Sequence, residues 1–293
     1  MTDVGLILEE APPYASQRRR MWSTFTRNKT AVFGLILVVV ITLSAIFAES
    51  IAWHDPFKQS TAHRLEAPGN SYILGRDNFG RDVFARLLYA GRISLTVGIS
   101  SVLLGGILGT ILGVFAGYFG GSLETVLMRF IDILMAFPSL ILGLVVLAVL
   151  GSGMLNIILA IGVVLAPGFA RVVHATTLSL KREEFVEAAR SVGAGPVRIM
   201  RKHVLPNTAG EIIVLASLWT ASAIRIEASL SFIGLGVDPK IPTWGNMIRE
   251  GMTQLLHAPW LSIFPGIAIF LAVLGFNLLG DGLRDILDPR LQT

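Results

Sequence analysis

The chain has no cysteine and few charged residues, and each shortage excludes a class of protein. Without cysteine, its 293 residues cannot form a disulfide, a thiolate nucleophile or a sulfur-ligated metal site. Only 15% of the residues are charged while 53% are hydrophobic, and a soluble domain of this length exposes more charge. The composition therefore predicts a polytopic membrane protein.

Nucleotide-binding and catalytic patterns are also missing. The sequence has no GxxxxGKS or GxxxxGKT and no dinucleotide fingerprint, and the glycine-rich GAGP at 193–196 lacks the Lys-Ser/Thr of a phosphate-binding loop. The histidines show no i, i+4 pair and no neighbouring carboxylate cluster; they are His54, His63, His174, His203 and His257. We expect no enzyme activity, no metal and no cofactor in this chain, and no ATP hydrolysis by the chain alone.

Six apolar runs are long enough to cross a membrane. The hydrocarbon core is about 30 Å thick, so a spanning helix needs roughly 20 mostly apolar residues, and these runs are too long and too uniformly apolar for barrel strands. The first is also too long for a signal-peptide core, and we interpret it as a retained anchor. The predicted fold is an all-α membrane protein with six transmembrane helices, at about 31–51, 93–117, 127–150, 155–173, 209–234 and 260–281.

The remaining residues form short tails and loops. The predicted divisions are an N-terminal tail at 1–30, an extracytoplasmic segment at 52–92, a five-helix core at 93–281 with a cytoplasmic loop at 174–208, and a C-terminal tail at 282–293. The extracytoplasmic segment is expected to contain an amphipathic helix, with Val83, Phe84 and Leu87 on one face and with Asp82 and Arg86 spaced for an ion pair.

Basic residues predict the orientation of the helices rather than a nucleic-acid partner. Arg18, Arg19, Arg20, Arg27 and Lys29 precede the first span and should hold the N-terminus in the cytoplasm. Six spans then return the C-terminus to the same side. The external segment does not follow the rule, because it carries six Lys and Arg residues, and this leaves its side of the membrane open.

The second span carries a stripe of glycines. Gly105, Gly109, Gly113 and Gly117 are each four residues apart, a spacing that allows close helix approach in lipid. We predict that these glycines form a face that packs tightly against another helix. The alternative is a face that slides along its neighbour to open and close a pathway.

Ionisable side chains inside spans are costly, so each is a functional hypothesis. Asp132 lies three residues after Arg129 and is expected to pair with it. Arg225 and Glu227 lie deeper, in the fifth span, and side chains two residues apart on a helix point in different directions. Both are candidate translocation-path residues, and structural pairing with another helix or subunit is the alternative for each.

The polar segment EAARSVGAGPVRIMRKHVLP, residues 187–206, separates two long apolar runs. Its pattern predicts two short helices, in which Gly193 ends the first, Pro196 opens the second and Pro206 closes it. Such an elbow beside a membrane can dock into a partner's groove. An ordinary basic cytoplasmic loop would have the same chemistry.

The same segment resembles the EAA loop of ABC importer permeases. The matching residues are Glu187, Ala188, Ala189, Gly193, Leu205 and Pro206. His203 replaces the family's usual isoleucine, and Arg76 stands where the family more often has threonine. Three more blocks resemble the dipeptide, oligopeptide and nickel permeases, in their second, C-type subunit: LGRDNFGRDVFARLLYAGRISL (74–95), EASLSFIGLG (227–236) with PTWGNMI (242–248), and FNLLGDGLRDILDPRL (276–291). The resemblance covers about residues 20–291.

The resemblance implies a machine shared among several chains in the bacterial inner membrane. A second permease would complete the translocation path, two cytoplasmic subunits would bind ATP and Mg, and an extracytoplasmic substrate-binding protein would deliver the solute. By analogy, the matching residues of the EAA loop would form a cytoplasmic coupling helix that the ATP-binding subunits grip. The implied cargo is a short peptide or peptide-like solute, with nickel chelates, glutathione-like tripeptides and oligosaccharides as alternatives.

Two rivals come from other classes. An ion-driven secondary carrier acting alone would use Glu227 and Asp132 as ion-handling groups, but no inverted repeat relates the first three spans to the last three. An intramembrane enzyme would need paired catalytic groups, which the sequence does not offer.

Overall fold

The computed structural model describes residues 25–287, and most of them are helical. In chain order the helices are α1 (Lys29–Ile46), α2 (Ala48–Ile51), α3 (Val83–Phe119), α4 (Gly121–Met135), α5 (Ser139–Leu150), α6 (Met154–Leu180), α7 (Glu184–Ser191), α8 (Pro196–Ile199), α9 (Leu205–Ile233), α10 (Trp244–Met252) and α11 (Trp260–Leu287). A π-helical turn, Met200–Val204, joins α8 to α9. The prediction of an all-α membrane fold is confirmed.

Five stretches within the described residues are long and apolar enough to cross a membrane. They are α1, α3, α6, the combined α8–α9 stretch Pro196–Ile233, and α11. Large apolar side chains are exposed along them, among them Val40, Leu103 and Phe270. Lipid tails would cover such surfaces at no cost in hydration.

The third predicted span, 127–150, is not one straight helix. The axes of α4 and α5 differ by 97° across the short break between Met135 and Ser139. Pro138 lies in this break; its ring removes a backbone N–H donor and disfavours helical geometry at the residue before it. The pair is either one broken span or a re-entrant segment, so the described chain has five or six spans.

Several helix ends differ from the sequence-based bounds; α6, for example, continues to Leu180 and so includes the start of the predicted loop 174–208. The first spanning helix stops at Ile46, and the short α2 follows it. Residues 83–92 are the first turns of α3 rather than a separate amphipathic helix. At the C-terminus, α11 continues to Leu287, so the start of the predicted tail 282–293 is helical. Residues 1–24 and 288–293 of the two predicted tails lie outside the described residues.

The glycine stripe of α3 lies directly against α6. A Cβ atom built on Gly105 would lie 2.8 Å from the carbonyl oxygen of Gly162, and one on Gly113 would lie 2.6 Å from that of Ala170. Real Cβ atoms do not approach backbone atoms so closely, so only glycine permits this helix separation. The predicted tight packing face is confirmed.

The bundle has two ends, which we name from α7. The loop end contains α7, the C-terminal end of α3, and both the start of α1 and the end of α11, since Asn28 Nδ2 donates to Asp285 Oδ2 at 3.1 Å. The far end contains residues 52–82, the start of α3, and α10. Because α3 has 37 residues and rises 1.5 Å per residue, about 55 Å separates the two ends.

Four charged side chains form a network at the far end. Arg81 Nε donates to Asp77 Oδ2 at 2.6 Å and Arg81 Nη2 donates to Glu250 Oε2 at 2.7 Å. Arg86 Nη2 donates to the same Glu250 oxygen at 3.2 Å, and its side chain is only 1% exposed. The network fastens the segment that precedes α3, and the start of α3 itself, to α10.

Asp82 does not pair with Arg86 as the sequence predicted. It is the N-cap of α3, and its Oδ1 accepts a hydrogen bond from the Phe84 N–H at 2.8 Å while its Oδ2 lies 2.7 Å from His54 Nδ1. A capping carboxylate turns back over the first helical turn. Arg86, one turn further on, is left to pair with Glu250 and with Asp77.

Candidate functional site

The EAA segment folds as a short helix, a left-handed turn and a second helix. Gly193 has φ of +85°, its N–H donates to the Arg190 carbonyl at 3.0 Å, and the Ala194 N–H donates to the Ala189 carbonyl at 3.0 Å. This pair of bonds defines a Schellman motif. Among the described residues, no atom lies within 4 Å of a Cβ built at Gly193, so the backbone conformation, not lack of space, favours glycine there.

The second half of the segment differs from the prediction. Pro196 opens α8 as expected, but Pro206 does not close it, because the helical path continues from Pro196 to Ile233. Proline inside a helix removes one hydrogen bond and clashes with the carbonyl four residues earlier. The π-helical turn at Met200–Val204 lies at that position and widens the helix where the ring enters.

One face of the EAA segment is anchored in the core. Val186 of α7 and Val204 of the π-helical turn are both 0% exposed. They belong to one apolar cluster with the loop ends of α3 and α6, whose other buried members are Val114, Tyr118, Val173, Ile199 and Met200. A displacement of α7 would therefore be passed directly to α3 and α6, which the glycine stripe holds together.

The opposite face of the segment is open. Glu187 and Ala188 are exposed and Ala189 is half-buried, while the apolar side chains of Val192 and Val197 are 85% and 71% exposed. Leu205 and Pro206 are also exposed, at the start of α9. These small and apolar side chains, with charged side chains on either side, form a ridge that can dock into a complementary groove.

Asp132 pairs between helices and not within its own. Its carboxylate accepts a hydrogen bond from Arg171 Nη2 of α6, so the expected pairing with Arg129 is corrected. Nearby, Glu124 Oε1 lies 2.8 Å from Nε2 of His174. These two contacts cross from α4 to α6 and hold the bent α4–α5 pair at the loop end.

A groove of about 510 Å³ lies between α9 and the α5–α6 pair. Its lining residues are Ser139, Leu140, Val164, Leu165, Trp219, Ser222, Arg225, Ile226 and Ser229. Trp219 packs on Gly168 of α6, where a Cβ atom would collide with the indole ring. The groove therefore has an apolar wall, several hydroxyl groups and one guanidinium.

Arg225 is exposed in this groove. Its Nη2 donates to Ser222 Oγ at 3.1 Å, and within residues 25–287 it forms no ion pair. A guanidinium has five N–H donors, so most of its hydrogen-bonding capacity is directed into the groove.

Glu227 lies on the other side of α9, as the two-residue spacing predicts. It is 0% exposed, and its carboxylate accepts hydrogen bonds from Ser94 Oγ at 2.9 Å and Ser231 Oγ at 2.7 Å. The Ser94 hydroxyl in turn accepts a hydrogen bond from the backbone N–H of Trp244, at 3.3 Å. Glu227 thus connects α9 to α3 and α10, and it does not line the groove.

Sequence reasoning missed long-range partners of Glu250 and of the buried Glu227. Glu250 is 164 residues from Arg86, and Ser94 is 133 residues from Glu227, so no local spacing could have paired them. Local signals existed for two other contacts of these clusters, the i, i+4 spacing of Asp77 and Arg81 and that of Glu227 and Ser231. Within residues 25–287 no cluster of three or more His, Asp or Glu side chains is arranged to hold a metal ion.

Comparison with known families matches most of the chain. Residues 109–293 match the family described as "Binding-protein-dependent transport system inner membrane component". Residues 16–68 match the "N-terminal TM domain of oligopeptide transport permease C".

Individual relatives agree with the family match. The glutathione transport system permease protein GsiD of Pectobacterium atrosepticum is 43% identical over 94% of this chain and 92% of its own length. The protein of the same name from Shigella flexneri is 44% identical over 92% of this chain and 90% of its own length.

One solved structure shows that the fold is shared more widely. A chain in the inward-facing MetNI methionine ABC transporter superposes with a TM-score of 0.55 at 20% identity, over 68% of this chain and 95% of that one. At this identity the likeness concerns the fold alone. With the family matches and the spanning helices, it leads to one conclusion: the chain belongs to the multi-pass inner-membrane permeases of binding-protein-dependent ABC importers, in the C-type subunit of the peptide-type branch.

Proposed function

We propose that this permease moves short peptides or peptide-like solutes into the cell, with a glutathione-like tripeptide as the leading member of that class. Two curated relatives are named for glutathione transport, and the N-terminal match is to an oligopeptide permease. The groove beside α9, at about 510 Å³, lies within the usual 300–1,000 Å³ range of small-molecule sites. Nickel chelates and oligosaccharides are the alternative cargoes.

The rest of the machine would consist of other chains. A second permease would close the groove, two ATP-binding subunits would supply ATP and Mg, and a substrate-binding protein would dock at the far end. The loop end would face the cytoplasm with both termini. What supports this orientation is the exposed, basic character of the loop end, which follows the positive-inside rule.

The coupling role belongs to α7 and the turn after it. Glu187, Ala188 and Ala189 would enter a groove on the ATP-binding subunit, Gly193 would set the angle of the turn, and Leu205 with Pro206 would begin the spanning helix that moves. The single observation that carries this proposal is that α7 is open on one face and anchored by Val186 on the other. Movement of the docked subunit would therefore reach α3 and α6 without an intervening flexible segment.

Of the two candidate path residues, Arg225 fits the role. It lies in the groove with free donors, whereas Glu227 is satisfied by two serine hydroxyls inside the bundle. We assign Arg225 to the translocation path and Glu227 to the packing of α9 against α3 and α10.

Reconstitution separates this importer from an ion-driven carrier. The purified chain would be placed in liposomes alone and, in parallel, with the second permease, both ATP-binding subunits and the binding protein. We expect glutathione uptake only in the complete assembly with ATP. Uptake by the chain alone, driven by a proton or sodium gradient, would refute the importer and restore the carrier with Glu227 and Asp132.

A further inference from the structure

We propose that Arg225 binds a carboxylate of the transported solute, so that this permease itself selects for acidic cargo. The proposal rests on the function proposed above and adds a specificity determinant within the path. A guanidinium inside a membrane span is costly unless it faces a polar cavity or a partner. Here it faces a groove and has one hydrogen bond, to Ser222.

The charge of the groove is positive and not balanced locally. None of its lining residues is acidic, and the nearest carboxylate along the chain, Glu227, is buried on the opposite side of α9. Removal from bulk water strengthens the attraction between a guanidinium and an anion. The groove therefore favours an anionic solute over a neutral or cationic one.

The geometry of the groove suits a carboxylate in particular. The planar fork of an arginine can donate two parallel hydrogen bonds to a carboxylate. Ser222 and Ser229 lie one turn before and one turn after Arg225 on α9, so their hydroxyls border the same part of the groove. Trp219 and Leu140 supply an apolar surface for the remainder of a small peptide.

A carboxylate from the second permease is the competing occupant. Such a fixed ion pair would fill the groove with protein, and uptake would then not depend on whether the solute carries a carboxylate. The two cases predict different responses to the charge of the solute, so the test varies the solute as well as the residue.

The experiment is a chemical double-mutant cycle on the complete importer in liposomes. Uptake is measured at saturating binding protein for glutathione and its glycine carboxamide, and for trialanine and its C-terminal amide, with wild type and Arg225→Gln. Each variant is compared with wild type for the same solute, so the selectivity of the binding protein cancels from the ratio. Size-exclusion chromatography confirms that the complex assembles.

We expect Arg225→Gln to lower the acid-to-amide uptake ratio roughly tenfold, the effect of losing one hydrogen bond between charged groups. Arg225→Lys should give an intermediate ratio, because lysine keeps the positive charge but lacks the planar guanidinium that donates two parallel hydrogen bonds. If the glutamine variant does not assemble, the lysine variant replaces it in the test. Arg129→Gln is the matched control, since Arg129 is exposed on a membrane helix outside the groove, and it should leave the ratio unchanged.

Two results would overturn the inference; one refutes the role of Arg225 alone, and the other refutes the proposed cargo class as well. Equal loss of acid and amide uptake in both Arg225 variants would show a fixed contact with the second permease. No uptake of any of these acids by the wild-type importer would refute the proposed cargo class, and the inference with it.

Discussion

The two ends of the bundle contain the same kind of basic side chain and use it differently. At the far end, Arg81 and Arg86 are nearly buried and share Asp77 and Glu250, and Arg92 pairs with Glu49 at 3.2 Å. At the loop end, five basic residues are exposed and form no ion pair within residues 25–287: Arg182, Arg190, Arg198, Arg201 and Lys202.

The difference accounts for much of the positive charge in residues 52–92, which had left the side of the membrane open for this segment. Arg81 and Arg86 hold the end of this segment and the start of α3 to α10, and Arg92 holds the start of α3 to α2. These three arginines are explained by the contacts they make. The five exposed basic residues of the loop end make no such contacts within residues 25–287 and remain available to orient the chain and to meet a partner. A count of Lys and Arg in the sequence cannot distinguish basic residues that form ion pairs from those that remain exposed and unpaired. The burial and the contacts of each side chain distinguish them.

The largest expected effect comes from breaking the far-end network with Glu250→Ala. Among residues 25–287 it leaves Arg81 and Arg86 with Asp77 as their only acidic partner, and removing one partner from a buried ion pair costs about 3–5 kcal/mol. Because Glu250 is 25% exposed, we expect the lower limit, about 3 kcal/mol of unfolding free energy. Unfolding in mixed detergent micelles measures this loss.

The matched control is Glu187→Ala, at the loop end. Glu187 is exposed and unpaired within residues 25–287, so its removal should change the unfolding free energy by less than about 0.5 kcal/mol. Similar losses for the two variants would show that the ends do not differ as described.

The next effect concerns the turn of the EAA segment. Gly193→Asp places a side chain where φ is +85°, which should distort the Schellman turn and abolish uptake while the complex still assembles. Gly195→Asp introduces the same charge at the N-cap of α8, where φ is −71° and aspartate is favoured, and it should transport normally. ATPase activity and uptake are measured on both complexes, and normal uptake by the Gly193 variant would remove the coupling role.

The smallest effect tests the cap of α3. Asp82→Ala removes the acceptor for the Phe84 N–H and the partner of His54, and loss of an N-cap costs about 1 kcal/mol. Asp82→Asn keeps the capping oxygen and should recover most of that stability in the same micelle assay. If alanine and asparagine have equal effects, the carboxylate does not act as a cap.

The sequence predicted those features that depend on local pattern. Apolar runs located the spans, the spacing of Gly105 and Gly113 identified the face that packs on α6, and Gly193 marked the end of α7. The two wrong ion-pair predictions share one cause, which is competition between partners that only the folded chain brings together. Asp132 pairs with Arg171 and not with the predicted Arg129. Arg86 pairs with Glu250 and not with the predicted Asp82.

Proline lies at two further differences, with opposite outcomes. The axes of α4 and α5 differ by 97° across the break that contains Pro138, where the hydropathy pattern predicted one continuous helix. Pro206 was expected to end a helix, yet a π-helical turn admits it. Whether a helix breaks or widens at a proline depends on the packing of the flanking turns, and Val204, buried against α3 and α6, holds the second helix together.

Site-directed labelling of the two ends tests the central claim most directly. The chain has no cysteine, so Ala188→Cys and Gly69→Cys each provide a single thiol, at an exposed position of the loop end and the far end respectively. We predict that a membrane-impermeant maleimide labels the Ala188 variant only from the cytoplasmic side, and only until the ATP-binding subunits are bound. The Gly69 variant should be labelled only from the opposite side, whether or not those subunits are present. Labelling of the Ala188 variant from outside, or undiminished labelling in the assembled importer, would contradict the assignment of α7 as the docking site.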